Sequence, residues 1–172
     1  MKQKVTGLAM IALICFFTFS GFKNSSFNYQ VITCRPTTDG TSGEVLEQLI
    51  ATLQKAKGKT TSSTYAINGA KSSIRFKLNE TCFEVLSTAG QPDPFQNITL
   101  YKLTTSKTNR TLTITTDGSN NSSWIPMQIP YEESNKWKVI PATTLTVGEY
   151  AFVDKTTVTS TGNVTVWCFG VD

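Results

Sequence analysis

Apolar and polar residues alternate along much of the chain in short runs. Phe27, Tyr29 and Val31 are spaced by Asn28 and Gln30, and Ile74, Phe76 and Leu78 by Arg75 and Lys77. The same spacing recurs at Phe83/Val85, Ile98/Leu100, Leu112/Ile114, Trp137/Val139, Tyr150/Phe152 and Val164/Val166/Cys168. Successive side chains of a strand point to opposite faces, so this period predicts strands with one buried and one wet face. Strands of that kind belong to antiparallel sheets. The breaks between runs carry turn chemistry. Asn68-Gly69 lies between Thr64–Ile67 and Ser73–Leu78, and Asn-Gly takes positive φ readily, which predicts a hairpin there. Gln91-Pro92-Asp93-Pro94 and the stretch from Asp117-Gly118 to Ser123 predict loops, and Thr161-Gly162-Asn163 predicts a C-terminal hairpin. Short strands at such regular spacing predict an all-β fold, a sandwich or a barrel.

One segment breaks the pattern. In Glu44 to Lys57, Val45, Leu49, Leu53 and Ala56 fall on one helical face with Leu46 and Ile50 beside it. Thr41 and Glu44 have capping-box spacing, and Gly58 can close the far end. The spacing predicts a short helix over 44–57, with a strand through Leu49–Leu53 as its rival. Lys55 to Ser63 reads as a linker or loop. At the N-terminus, Lys2 and Lys4 precede an apolar run from Val5 to Phe19 and then Ser20-Gly21. This is the shape of a secretory signal peptide over 1–20, cleaved near Ser20, and the run is short for a membrane span. The expected organisation is therefore 1–20 signal peptide, 21–62 an N-terminal strand with an amphipathic segment or linker, and 63–172 a β-sandwich domain.

Composition narrows the chemistry. The chain has no histidine, which excludes a Ser-His-Asp triad, a Cys-His dyad and any His-ligated metal. Its formal charge of +4 falls to about +2 once Lys2 and Lys4 are removed, and the basic residues are scattered, so no nucleic-acid footprint is expected. No membrane span is expected after signal removal. Three cysteines, Cys34, Cys82 and Cys168, stay in the mature chain. In an oxidising compartment three thiols make one bridge and leave one over. Sequence alone does not choose the pair: Cys82 and Cys168 both lie in strand-like runs and make a plausible one, Cys34 ends another such run, and three buried, reduced thiols are an equal alternative. Three cysteines without a CxxC spacing make a poor zinc site, and no metal or cofactor is expected.

Two stretches together carry a resemblance. Asn68-Gly69-Ala70-Lys71-Ser72-Ser73-Ile74-Arg75-Phe76-Lys77 is one, and Gly148-Glu149-Tyr150-Ala151-Phe152 followed by Val166-Trp167-Cys168-Phe169-Gly170-Val171-Asp172 is the other. They resemble a family of uncharacterised exported bacterial β-domains with a GAKS-like turn before an Arg-Phe strand and Gly-Glu-Tyr and Cys-Phe-Gly-Val-Asp strands at the end. This chain has Val147 before Gly148, where family members often have proline. The resemblance implies an antiparallel immunoglobulin-like β-sandwich and an exported location, and it implies no activity or site. It also favours an extended reading of Leu46-Glu47-Gln48. Lys71 and Arg75 would then be strand-edge charges that discourage edge pairing.

Candidate chemistry is sparse. Glu132 and Glu133 are adjacent, so on a strand they face apart and cannot act as a glycosidase pair. The chain has no G-x-S-x-G elbow and no phosphate loop. Asp117-Gly118-Ser119-Asn120-Asn121 is rich in oxygen but lacks the acid spacing of a calcium loop. Asn24, Asn79, Asn97, Asn109, Asn120, Asn121 and Asn163 each open an N-x-Ser/Thr sequon. In a eukaryotic secretory route these would accept glycans, whereas in a bacterium they follow from Asn/Thr-rich strand surfaces. Trp124, after the polar loop, and Tyr131, after Pro130, are the candidate ligand-binding residues, because exposed rings stack on sugars or fill a partner's pocket. No catalytic residue is assigned. The expectation is an exported, non-catalytic module that binds a protein or glycan partner at the cell envelope. Its rivals are a hydrolase using carboxylates or a Ser–Lys pair, and a structural subunit that assembles through strand edges.

Overall fold

The computed structural model describes residues 29–34, 43–54, 62–88, 93–115, 122–133, 135–157 and 162–172. The signal peptide expected over 1–20 and its cleavage point near Ser20 lie outside these residues, as do most of the Lys55–Ser63 segment and the Asp117–Asn121 stretch. Along the described chain run β1 (Tyr29–Thr33), β2 (Glu47–Leu53), β3 (Ser62–Asn68), β4 (Arg75–Phe76), β5 (Phe83–Ser87), α1 (Pro94–Asn97), β6 (Ile98–Lys102), β7 (Thr104–Thr105) and β8 (Asn109–Thr115). They are followed by β9 (Trp124–Ile125), β10 (Met127–Gln128), β11 (Tyr131–Glu133), β12 (Lys136–Pro141), β13 (Gly148–Asp154) and β14 (Asn163–Val171). Each of the eight alternating runs contains one of these strands.

The strands form two curled sheets, nearly all antiparallel. The smaller has the order β1-β5-β12-β10, with β11 also on β12. The larger has the order β7-β8-β3-β2-β14-β13-β6-β9, with β4 running parallel to the end of β14. β1 and β2, from the 21–62 stretch, pair within these same sheets. The sheets face each other across one apolar cluster. The smaller contributes Tyr29, Val31, Phe83, Val85 and Val139, and the larger contributes Leu100, Phe152, Trp167 and Phe169. At its centre the Phe83 ring lies 4.5 Å from Phe169 and 5.1 Å from both Phe76 and Phe152. Such ring pairs add about 0.5–1.5 kcal/mol each beyond the area they bury.

A second cluster fills the opposite face of the larger sheet. Ala51, Tyr65, Ile67, Leu112, Val153 and Val166 meet there because β2, β3 and β8 curl over β14 and β13. β14 is therefore buried on both faces rather than wet on one, and its interior is almost entirely apolar. Both Trp137 and Trp167 are core residues.

Three expectations are corrected. Of the 44–57 segment, the described residues 44–54 hold a strand, β2, and no helix. β2 fills the gap between β14 and β3, pairing Leu49 with Val166 and Thr52 with Ala66. A helix there would leave two strand edges without backbone partners, a cost that outweighs local helix preference. Asn68-Gly69 is not a two-strand hairpin either. Gly69 does take positive φ, at 86°, but both edges of β3 are occupied by β2 and β8. The chain instead crosses to β14, where β4 continues the edge that β2 vacates. Finally, the disulfide joins Cys34 to Cys82, with Cα atoms 5.2 Å apart, and leaves Cys168 a free, buried thiol. Strand alternation explains the choice. Trp167 and Phe169 face the smaller sheet, so Cys168 faces away from it into the second cluster. Cys34 and Cys82 extend the β1–β5 ladder by one step past Thr33 and Phe83. The C-terminal hairpin is as expected, with β13 and β14 paired from Gly148–Val171 to Asp154–Thr165.

Candidate functional site

The densest group of charges in the described chain is assembled by the residues of the family resemblance. Arg75 of β4, Gly170 of β14 and Glu149 of β13 lie side by side in register. The Arg75 guanidinium crosses over Gly170 to reach the Glu149 carboxylate. A β-carbon at Gly170 would overlap that guanidinium, so glycine is what lets the pair form across the middle strand. Arg75 also holds Asp172, through Nε at 3.1 Å and through Nη2. The Ser72 amide donates to Glu149 at 2.8 Å, and the Ser72 hydroxyl donates to the Cys168 carbonyl at 3.1 Å.

Arg110 completes the group from β8. It is 1% exposed and donates to the Gly69 carbonyl at 3.0 Å, the Asn68 carbonyl at 3.1 Å and Glu47 at 3.3 Å, with Glu149 at 3.8 Å. The network thus binds β2, β4, β8, β13, β14 and the 68–72 turn to one another. Its charges are satisfied within it. The hydrogen bond from Arg75 holds the Asp172 carboxyl below its ordinary value. Burial pushes the Cys168 thiol up to about 12, despite nearby Arg110, so it is not a thiolate nucleophile at neutral pH. Arg75 is an ion-pair centre, not a charge that guards a strand edge. No group of three or more Cys, Asp or Glu side chains placed to hold a metal occurs among the described residues.

The surface instead offers two grooves on either side of one loop. Between β12 and β13 the chain passes through Thr143, Thr144 and Thr146, all exposed, with Leu145 pinned in the core. The Ala142 amide ties the loop's start to the Pro126 carbonyl at 2.8 Å. Its end is tied by Tyr150, whose hydroxyl donates to the Thr146 carbonyl at 2.6 Å. The first groove, of about 380 Å³, lies between Thr143–Leu145 and the Asn79 and Thr81 side. The second, of about 300 Å³, lies between the same residues and Lys102, Ser122, Trp124 and Ile125. Thr143 and Thr144 are therefore a ridge with a hollow on each flank, the first mainly polar and the second of mixed lining, with Trp124, Ile125 and Pro126 beside its hydroxyls. These volumes sit at the small end of ligand sites, which run to about 1,000 Å³.

Trp124 and Tyr131 part company here. Trp124 is half-buried on edge strand β9 and lines the second groove. Its neighbour Ile125 packs on the inter-sheet cluster, so alternation turns the Trp124 ring toward the second cluster. Tyr131 is 61% exposed on β11 and lines neither groove; its ring meets Trp137 edge-on at 5.4 Å. The sequence reading missed the threonine ridge and Lys102, whose ammonium donates to the Thr146 hydroxyl at 2.6 Å. Comparisons of the chain with family models, curated proteins and solved structures find no match.

Proposed function

We propose that the chain is an exported, non-catalytic binding module at the cell envelope, built on an elaborated immunoglobulin-like sandwich, and that it takes a glycan across the Thr143–Thr144 ridge. The pair of grooves flanking that ridge carries the proposal. Thr81, Thr143, Thr144, Thr146, Ser122 and the Asn79 amide supply donors and acceptors around both hollows. A polyhydroxylated ligand matches that lining, since each sugar hydroxyl both donates and accepts. Two hollows that share one wall fit two neighbouring sugar rings of a chain. The antiparallel pairing of two facing sheets supports the sandwich. The Cys34–Cys82 bridge and the leader-like N-terminus support export.

A glycan array probed with the purified protein and with Thr144→Trp tests this reading. Thr144→Trp places a large ring on an exposed ridge position and closes both hollows without touching the core. Array binding that this variant abolishes is the expected result. Binding that survives it, or none by the parent protein, contradicts the reading.

A further inference from the structure

We propose that the second groove selects sugars that bear an anionic group, read by Lys102; this rests on the glycan reading above. Lys102 of β6 lies directly opposite Tyr150 of β13, so both side chains stand on the same face at the groove wall. The ammonium is tethered by its hydrogen bond to Thr146 and lies 5.8 Å from the centre of the Tyr150 ring. Gly148 makes room for it, because a β-carbon there would come within 3.0 Å of Lys102 Cε. The bond to Thr146 uses one of the three ammonium protons and leaves two for a ligand.

Charge distribution points the same way. Arg75, Arg110 and Lys136 each sit within 4 Å of a carboxylate, whereas among the described residues Lys102 has no carboxylate at that distance. Lys102 is also the one charged side chain among the described residues that line either groove. A fixed, uncompensated cation beside hydroxyl donors complements a uronate carboxylate or a sugar phosphate held by the same hydroxyls.

The test titrates the ¹⁵N-labelled protein with trigalacturonate, with its methyl ester and with galactose 6-phosphate, for the parent and for Lys102→Met. The methyl ester keeps the rings and removes the charge. An exposed ion pair is worth up to about fivefold in affinity. The expected result is shifts at the Thr143–Thr146 amides, trigalacturonate binding about fivefold tighter than its ester, and loss of that preference in Lys102→Met. Whichever anionic probe loses more affinity in the variant names the charge as carboxylate or phosphate, and either supports the proposal. Equal affinity for acid and ester in the parent, with shifts still at Thr143–Thr146, overturns the charge inference and leaves the glycan reading standing. No shift at those amides with any probe overturns both.

Discussion

Replacing Arg110 with methionine probes the buried charge network at its most enclosed member. Methionine keeps the length and much of the apolar stem, so the change isolates the guanidinium. Its two bonds to the Asn68 and Gly69 carbonyls, at 3.1 and 3.0 Å, are lost, and these carbonyls lie in the turn that carries the chain from β3 to β4. Charge-assisted bonds contribute about 1.5–3 kcal/mol each. Glu47 is 23% exposed and can turn to water, but Glu149 is 5% exposed and keeps only Arg75 and the Ser72 amide. Removing one member of a buried charged group costs about 3–5 kcal/mol. At about 2–4 °C per kcal/mol for a domain of this size, Arg110→Met lowers Tm by about 6–20 °C. Urea unfolding with calorimetry measures this, and a double-mutant cycle with Glu149→Gln gives the coupling. The pair should cost less than the sum of the single variants by about 0.5–3 kcal/mol. An Arg110→Met protein within about 1 kcal/mol of the parent would refute the view that this network binds the strands together.

Further consequences follow from the cysteines and the acid end of the same network. Cys34→Ser opens a crosslink between residues 48 apart in sequence, which chain entropy rates at about 4 kcal/mol, so urea midpoints should fall accordingly; an unchanged midpoint contradicts the bridge's role. Ellman's reagent should find no reactive thiol in the native protein, because Cys168 is buried with its pKa at about 12, and one thiol after unfolding without reductant. Three thiols after unfolding, or rapid native reaction, would contradict the assignment. The folded Asp172 pKa lies below its ordinary 3.8, so its contribution to stability is complete above that value and is lost as pH falls through the folded pKa. Asp172→Asn should therefore destabilise at neutral pH and flatten the acid limb of the stability curve; an unchanged acid limb contradicts the Arg75 pairing.

The strands were legible because period-2 alternation is a local signal, and all eight alternating runs carry a strand. Partner choice was not legible. Asn68-Gly69 has hairpin chemistry, yet which strand comes next depends on edges already taken by β2 and β8. The Cys82–Cys168 expectation failed for a related reason, since a strand-like run does not say which sheet, or which face, its cysteine occupies. The charge network did leave a trace. Glu47, Arg110 and Glu149 each open the apolar face of their strand, ahead of Leu49 and Ala51, Leu112, and Ala151 and Val153. A charge at the head of a buried face needs a partner, and three such charges on three strands could have been matched. Gly170 as the passage for Arg75 needed the register of β4, β14 and β13, which no local pattern encodes. The threonine ridge is an irregular loop, so Thr143–Thr146 carried no periodic signal; of the two rings singled out by their chemistry, Trp124 lines a groove and Tyr131 lines neither.

The account depends most on the ridge being where a ligand sits. A crystal structure of the protein soaked with the strongest-binding oligosaccharide from the array tests it directly. The account predicts sugar density astride Thr143–Thr144, with one ring beside Lys102 and the next beside Asn79. Ordered sugar at Tyr131, on an open sheet face, or anywhere that leaves both hollows empty would contradict it.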